Sequence, residues 1–141
     1  MTTLFTRIIQ GELPGHFVWR DEHAVAFLSI NPIQTGHALV VPVLEVDHWL
    51  DLPAEIVAHL TEVSRVIGQA QMQALNPDRV GLIIAGFEVP HVHVHVIPTF
   101  SMADLSFANA AATVDHEALA ATASSLRAAL EASGASHVSA A

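Results

Sequence analysis

The sequence predicts an α+β domain, a five-stranded, mostly antiparallel sheet with flanking helices and one more helix at the C-terminus. Two patterns support this. Five short runs rich in β-branched and aromatic residues are separated by turn residues, and the helix-period segments come in blocks instead of alternating with strands. At 141 residues and 52% hydrophobic, the chain is one domain with a core of its own. It shows no internal repeat and no linker.

Thr2 to Gln10 reads as a short helix. Leu4, Phe5, Ile8 and Ile9 fall on one side, and Gly11 stands where a helix stops. His16–Arg20 and Ala24–Ile30 read as strands around Asp21-Glu22-His23, and Asn31-Pro32 ends the second. His37–Val43 is a third strand, whose Pro42 pushes that end toward a sheet edge or an exit. Residues 52–75 form the main helix, with Asp51 as cap and Pro53 in the first turn; Ile56, Leu60, Val63, Ile67, Ala70 and Ala74 make one buried face. Val80–Ala85 reads as a buried strand and His91–Ile97 as the last one. Asp115 to about Ser133 is an Ala-rich helix with Leu119, Leu126 and Leu130 on one side, and the final seven residues are expected to fray.

Charge limits the partners. There are 14 acids against five Arg and no Lys, a net charge of −9. This argues against binding a nucleic-acid polymer, which needs a basic stripe. One small phosphorylated ligand remains possible, held by imidazoles and backbone N–H groups. No apolar run reaches the length of a membrane span, and the N-terminal stretch is a poor export signal, so a cytoplasmic protein is expected. Cysteine is absent.

The informative stretch is Pro90-His91-Val92-His93-Val94-His95-Val96-Ile97. Alternation along a strand puts His91, His93 and His95 on one face, about 6.8 Å apart, and Val92, Val94 and Val96 on the other. A single His there would be ordinary packing. Three in strict alternation supply a nucleophile, a proton donor and an acceptor near neutral pH. Spacing alone leaves a second option open, a zinc site using His-x-His with His37, His48 or Glu88.

His91-Val92-His93-Val94-His95-Val96-Ile97 resembles the signature of the histidine triad family. Leu4–Pro14 resembles that family's opening helix and Gly-Glu-x-Pro turn, and Ala26–Pro32 with Gly36–Pro42 resembles its central hairpin. The resemblance covers about residues 3–100 as the core and leaves 101–141 as a helical tail. Phe107–Ala110 fits a bacterial branch of the family less specifically. It implies a homodimer, no cofactor, and hydrolysis or transfer of a nucleoside monophosphate. His93 would attack the α-phosphorus and form a nucleotidyl-histidine. His95 and His37 would contact the phosphate and orient the network. His91 would support the nucleophile's tautomer and the departing group. Nucleotide contacts would come from Phe5, Ile8, Phe27 and Ile30 at the base, from Ser29, and from Gly86 and Glu88 near the phosphate. Strand alternation, however, sets Leu28 and Ile30 on one face and Phe27 and Ser29 on the other.

The chain departs from the family pattern at several positions. Ser29 stands where many members carry an Asp for the ribose, Phe87 replaces a Gln, and Thr99 replaces an Arg. Arg79–Gly86 lacks the usual Asn and glycine-rich loop. Thr3 and Thr6 stand where zinc-binding members carry a Cys pair, so no structural zinc of that type is expected. The chemical machinery is kept and the substrate pocket is altered. The expected activity is that of a nucleoside phosphoramidate, aminoacyl-adenylate or dinucleoside polyphosphate hydrolase or transferase. The alternatives are a nucleotide-binding or scaffolding protein with little turnover, or a zinc-dependent hydrolase.

Overall fold

A computed structural model describes residues 2–140. Its elements are α1 (Leu4–Ile9), β1 (Phe17–Arg20), β2 (Ala24–Leu28), β3 (Ala38–Pro42), α2 (Ala54–Leu75), β4 (Arg79–Ile83), β5 (Val94–Thr99) and α3 (His116–Ala132), with short 3-10 turns at Trp49–Asp51, Met102–Leu105 and Phe107–Asn109. The five strands form one sheet in the order β1-β2-β3-β5-β4, and every neighbouring pair is antiparallel.

Alternation divides the sheet into two faces. Ala24, Ala26 and Leu28 of β2, Ala38 and Val40 of β3, and Val92, Val94 and Val96 pack with Leu60, Val63 and Ile67 of α2 and Leu119, Leu126 and Leu130 of α3. Val25, Phe27, Leu39 and Val41 turn to the other face, where Phe5 of α1 and Phe17 join them. The larger core therefore lies under α2 and α3. The opposite face is covered only in part, by α1, and the remainder is open for a site.

Several expectations change. The last strand begins at Val94, so of the three alternating histidines only His95 is a ladder residue. β3 stops at Pro42, which has no N–H to extend the ladder. The stretch leading into β5 is tied elsewhere, by Val92 N–H donating to Val46 O at 2.8 Å. Val80–Ala85 is not buried: β4 ends at Ile83 and forms an edge of the sheet, leaving Leu82 51% and Ile84 40% exposed. Its apolar run reads as core because sequence does not show which strand is last in the sheet. Asp51 does not cap α2. It belongs to the Trp49–Asp51 turn, and Pro53 takes the cap position without a side-chain bond. Asp115 does cap α3, accepting from Ala118 N–H. The described part of the C-terminal tail is ordered against β1. Arg20 N–H donates to His137 O, Ser139 N–H donates to Val18 O, and Trp19 and Val138 form a bridge.

Candidate active site

The site is built around Phe5. Thr3 caps α1 by accepting from Thr6 N–H, and the helix then points the Phe5 ring into the sheet. The ring lies edge-on to His93 (centroids 4.9 Å), His91 (5.8 Å) and Phe27 (5.6 Å). His95 follows His93 at 4.9 Å and meets His37 at 5.1 Å. Phe107, from the segment after β5, closes the row edge-on to His95 at 4.8 Å. Beside this row lies a cavity of about 550 Å³, a size suited to a small-molecule ligand.

Hydrogen bonds fix which ring nitrogens can react. A carbonyl only accepts, so His93 must carry its proton on Nδ1, which donates to His91 O at 2.7 Å. In the neutral ring Nε2 then keeps a lone pair. His37 accepts from Ile33 N–H at Nδ1 (3.1 Å), so its proton is on Nε2, which donates to His95 Nδ1 at 2.9 Å. His95 in turn holds its proton on Nε2. His93 thus offers an acceptor nitrogen and its neighbour a donor, which is the complement needed to attack phosphorus and bind a charged oxygen.

The electrostatics keep these rings neutral. Burial, with like-charge repulsion from His95 and His93, pushes His37 down to about 3. Burial and His93 push His95 down to about 4. Burial also lowers His93, opposed by its bond to the His91 carbonyl and by the Glu88 carboxylate. A neutral imidazole retains the lone pair that nucleophilic attack requires.

His91 is fully buried and does not line the cavity. Its Nε2–H donates to Pro42 O (2.8 Å), and its Nδ1 accepts from the Thr3 hydroxyl (2.7 Å). No ring nitrogen remains for a departing group, and its support of His93 comes from its backbone carbonyl. His37 likewise has both nitrogens engaged, accepting from Ile33 N–H and donating to His95 Nδ1. Thr3 N–H and the Thr6 hydroxyl both donate to Glu45 Oε1, each at 2.7 Å. Thr3, Thr6, Glu45 and His91 therefore form a hydrogen-bonded cluster where zinc-binding relatives would carry a Cys pair. His48 caps the Trp49–Asp51 turn by accepting from Leu50 N–H. Among the described residues, no group of three or more His, Cys, Asp or Glu is placed to hold a metal ion.

The structure brings Phe5, Ile8, Phe27, Ser29, Ile30, Glu88, His37, His93 and His95 to one cavity. Phe27, Ser29 and Ile30 share it despite their alternation because β2 ends at Leu28 and the chain turns. Gly86 is not among the lining residues; with φ +90° it makes a turn beside Asp47 O. Phe87 points away, 96% exposed. Leu13, Asn31, Phe107 and His116 also line the cavity, a place that the sequence does not assign to them. Asn31 and Phe107 arrive together: Asn31 Nδ2 donates to Ala111 O, Ala111 N–H to Pro32 O, and Gln34 Nε2 to Asp104. The Ser101 capping signal with Asp104 marks that segment as structured, though not what it touches.

A row of imidazoles along an antiparallel sheet is the arrangement expected of a histidine triad protein. The HIT domain pattern matches residues 10–102, and the chain belongs to that family. It is 36% identical over 103 residues to an uncharacterized HIT-like protein of Methanocaldococcus jannaschii, covering 69% of this chain and 78% of that one. It is 31% identical over 96 residues to the adenosine 5'-monophosphoramidase of Saccharomyces cerevisiae, covering 67% of this chain and 61% of that one. Among solved structures it is similar to a zinc-bound histidine triad family protein from Mycobacterium smegmatis. That match has a TM-score of 0.81 and 29% identity over 95% of this chain and 96% of that one. It extends past the family pattern into the C-terminal helix.

Proposed function

We propose that this chain cleaves a nucleoside monophosphate from an amine or acyl leaving group through a covalent intermediate on His93. The observation that carries the reading is the pair of opposite nitrogens facing one cavity, the His93 Nε2 lone pair beside the His95 Nε2–H. Attack by Nε2 forms an N–P bond as the bond to the leaving group breaks, and the electron pair departs with that group; an amine takes a proton from solvent water as it leaves, whereas an acyl group departs as its carboxylate. Nδ1–H stays on the His91 carbonyl, so the phosphorylated ring is a cation and a good leaving group for the second step. Water then breaks the N–P bond: its hydroxyl goes to phosphorus, its other proton returns to solvent, and the electron pair of the broken bond returns to His93 Nε2. His95 Nε2–H donates to the phosphoryl oxygen where charge develops. Phe5, Ile8, Phe27 and Ile30 make the base wall, Ser29 offers a hydroxyl to the ribose, and Glu88 borders the phosphate end.

The charge inventory narrows the substrate. No Arg lines the cavity, Glu88 does, and the chain carries a net charge of −9. A polyphosphate chain would bring several charges with no cation to meet them. A phosphoramidate or an acyl-adenylate brings one, which favours those two classes over dinucleoside polyphosphates. The name of the yeast relative agrees with the phosphoramidate class. The zinc-dependent reading is weaker, because His37 and His91 have both ring nitrogens committed.

A homodimer is supported by the β4 edge, where Leu82 and Ile84 stand exposed and Met72 of α2 is 41% exposed. An open edge with apolar side chains is suited to pairing with a second copy. Sedimentation of wild type against Leu82→Glu tests this, with a shift to monomer expected.

The activity is tested with adenosine phosphoramidate. Wild type should release AMP and form an AMP adduct on His93, visible by mass spectrometry after rapid quench, and His93→Ala should lose about 10⁴-fold or more in kcat. Equal rates in the two would remove the nucleophile. Nucleotide binding without turnover in wild type would make this a binding module.

A further inference from the structure

Gln71 lies near the C-terminal end of α2, one turn before Leu75, on the face of the sheet opposite the cavity, and is completely buried. It is the one long polar side chain on a buried helix face that otherwise carries Leu60, Val63, Ser64, Ile67, Gly68 and Ala70. Its Nε2 donates at 2.9 Å to two carbonyls, Gly36 O and Val96 O. Its Oε1 is buried with no protein partner. Within the protein, its hydrogen bonding therefore consists of what its two N–H groups hold.

Both carbonyls adjoin the site. Gly36 immediately precedes His37, and Val96 immediately follows His95. β3 and β5 pair only from Ala38 opposite Val96 onward, so Gly36 lies just beyond the ladder. There the Gln71 amide takes over the cross-strand tie. Leu75, one turn further along α2, closes on the same glycine: a Cβ on Gly36 would stand 2.3 Å from Leu75 Cδ1. The positive φ of +90° at Gly36 turns the chain so that His37 enters the imidazole row. If this tie slackened, the 2.9 Å bond from His37 Nε2 to His95 Nδ1 would lose its geometry, and with it the restriction of the His95 proton to Nε2.

We propose that Gln71 is a positioning residue that acts from behind the sheet: by clamping the carbonyls beside His37 and His95 it holds His95 in the Nε2–H tautomer. The functional part of this inference rests on the proposed role of His95 as donor to the phosphate. The tautomer part does not.

The test compares wild type with Gln71→Met, which keeps the side-chain length and apolar fit but has no donor, and with Gln71→Glu, which when protonated donates to one carbonyl only. In long-range ¹H–¹⁵N spectra, wild-type His95 is expected as a single Nε2–H tautomer. Gln71→Met should show both tautomers, with kcat on adenosine phosphoramidate down about 10- to 100-fold and KM changed by less than about twofold. Gln71→Glu should fall between them, and it carries the comparison if Gln71→Met does not fold. A wild-type His95 of mixed tautomer overturns the proposal. So does an unchanged tautomer or an unchanged kcat in the variants, even with a lower melting temperature. If wild type has no turnover, the enzymatic reading fails, and the spectra alone decide the role of Gln71.

Discussion

The two faces of this sheet come from the same strands and differ in what they bury. Under α2 and α3, Val92, Val94 and Val96 meet Leu, Ile and Val, and Gln71 and Ser64 are the buried polar side chains of α2. On the α1 side the same alternation presents imidazoles, and His37, His91 and His93 are nearly as buried as the valines. The apolar face gains free energy from area removed from water. The imidazole face must satisfy each nitrogen or leave it exposed to a ligand. It satisfies both nitrogens of His91 and His37 and leaves the cavity His93 Nε2 and His95 Nε2. The contrast assigns stability chiefly to one face and the proposed chemistry to the other.

The sharpest way to break this division is a pair of truncations. Leu126→Ala beneath α3 should cost about 2–5 kcal/mol of stability in denaturant unfolding, with kcat per folded molecule unchanged. His93→Ala should do the reverse, abolishing turnover with a much smaller loss of stability. A Leu126→Ala protein that folds stably yet has lost kcat would show that the faces are coupled beyond the Gln71 clamp.

His37→Ala probes the imidazole face more finely. It frees His95 Nδ1 and leaves Ile33 N–H without its acceptor. Expected are a loss of kcat of about 10- to 100-fold and little change in nucleotide binding by calorimetry, because His37 has no free nitrogen for the ligand.

The pH dependence follows from the lowered pKa values. In the unfolded chain His37 and His95 take up protons near the ordinary 6.5, while in the fold they do so only near about 3 and about 4. Between those values the unfolded state binds more protons. The stabilisation from neutral burial is therefore present above about pH 6.5 and is lost as pH falls toward 4, by up to about 1.4 kcal/mol per pH unit for each ring. Urea unfolding at pH 7, 6 and 5 measures this, and His37→Asn should flatten the slope. The acid limb of the activity profile should lie below that of an ordinary imidazole, since burial lowers His93 too.

The smallest effect is expected at the edge of β1. Deleting residues 135–141 removes the Arg20 and Ser139 backbone bonds and the Val138 bridge. A loss of about 1–2 kcal/mol is expected, with kcat intact. A larger effect on kcat would mean that the tail reaches the cavity through α3, whose first residue, His116, lines it.

Much of the fold was legible because alternation and helical period are local properties. The valine and histidine sets, the α2 stripe and the α3 leucines all emerge from spacing alone. Errors fell where an outcome depends on distant chain. The Val80–Ala85 run reads as core until β4 is found at the edge of the sheet. The tail reads as frayed until β1 is seen to offer it a free edge. Gly86 stands close to the triad in sequence, yet the turn it makes lies beside Asp47 and outside the cavity.

By itself the sequence determined that three imidazoles would stand against three valines, because successive side chains in extended backbone point to opposite sides. It did not determine which ring nitrogens are left free to face the cavity. That was decided by tertiary structure, since a ring's tautomer depends on what its other nitrogen meets. The His91 carbonyl that sets His93 and the Ile33 N–H that orders His37 are local, but the Pro42 carbonyl and the Thr3 hydroxyl that engage His91, and the His37 ring that orders His95, come from remote segments.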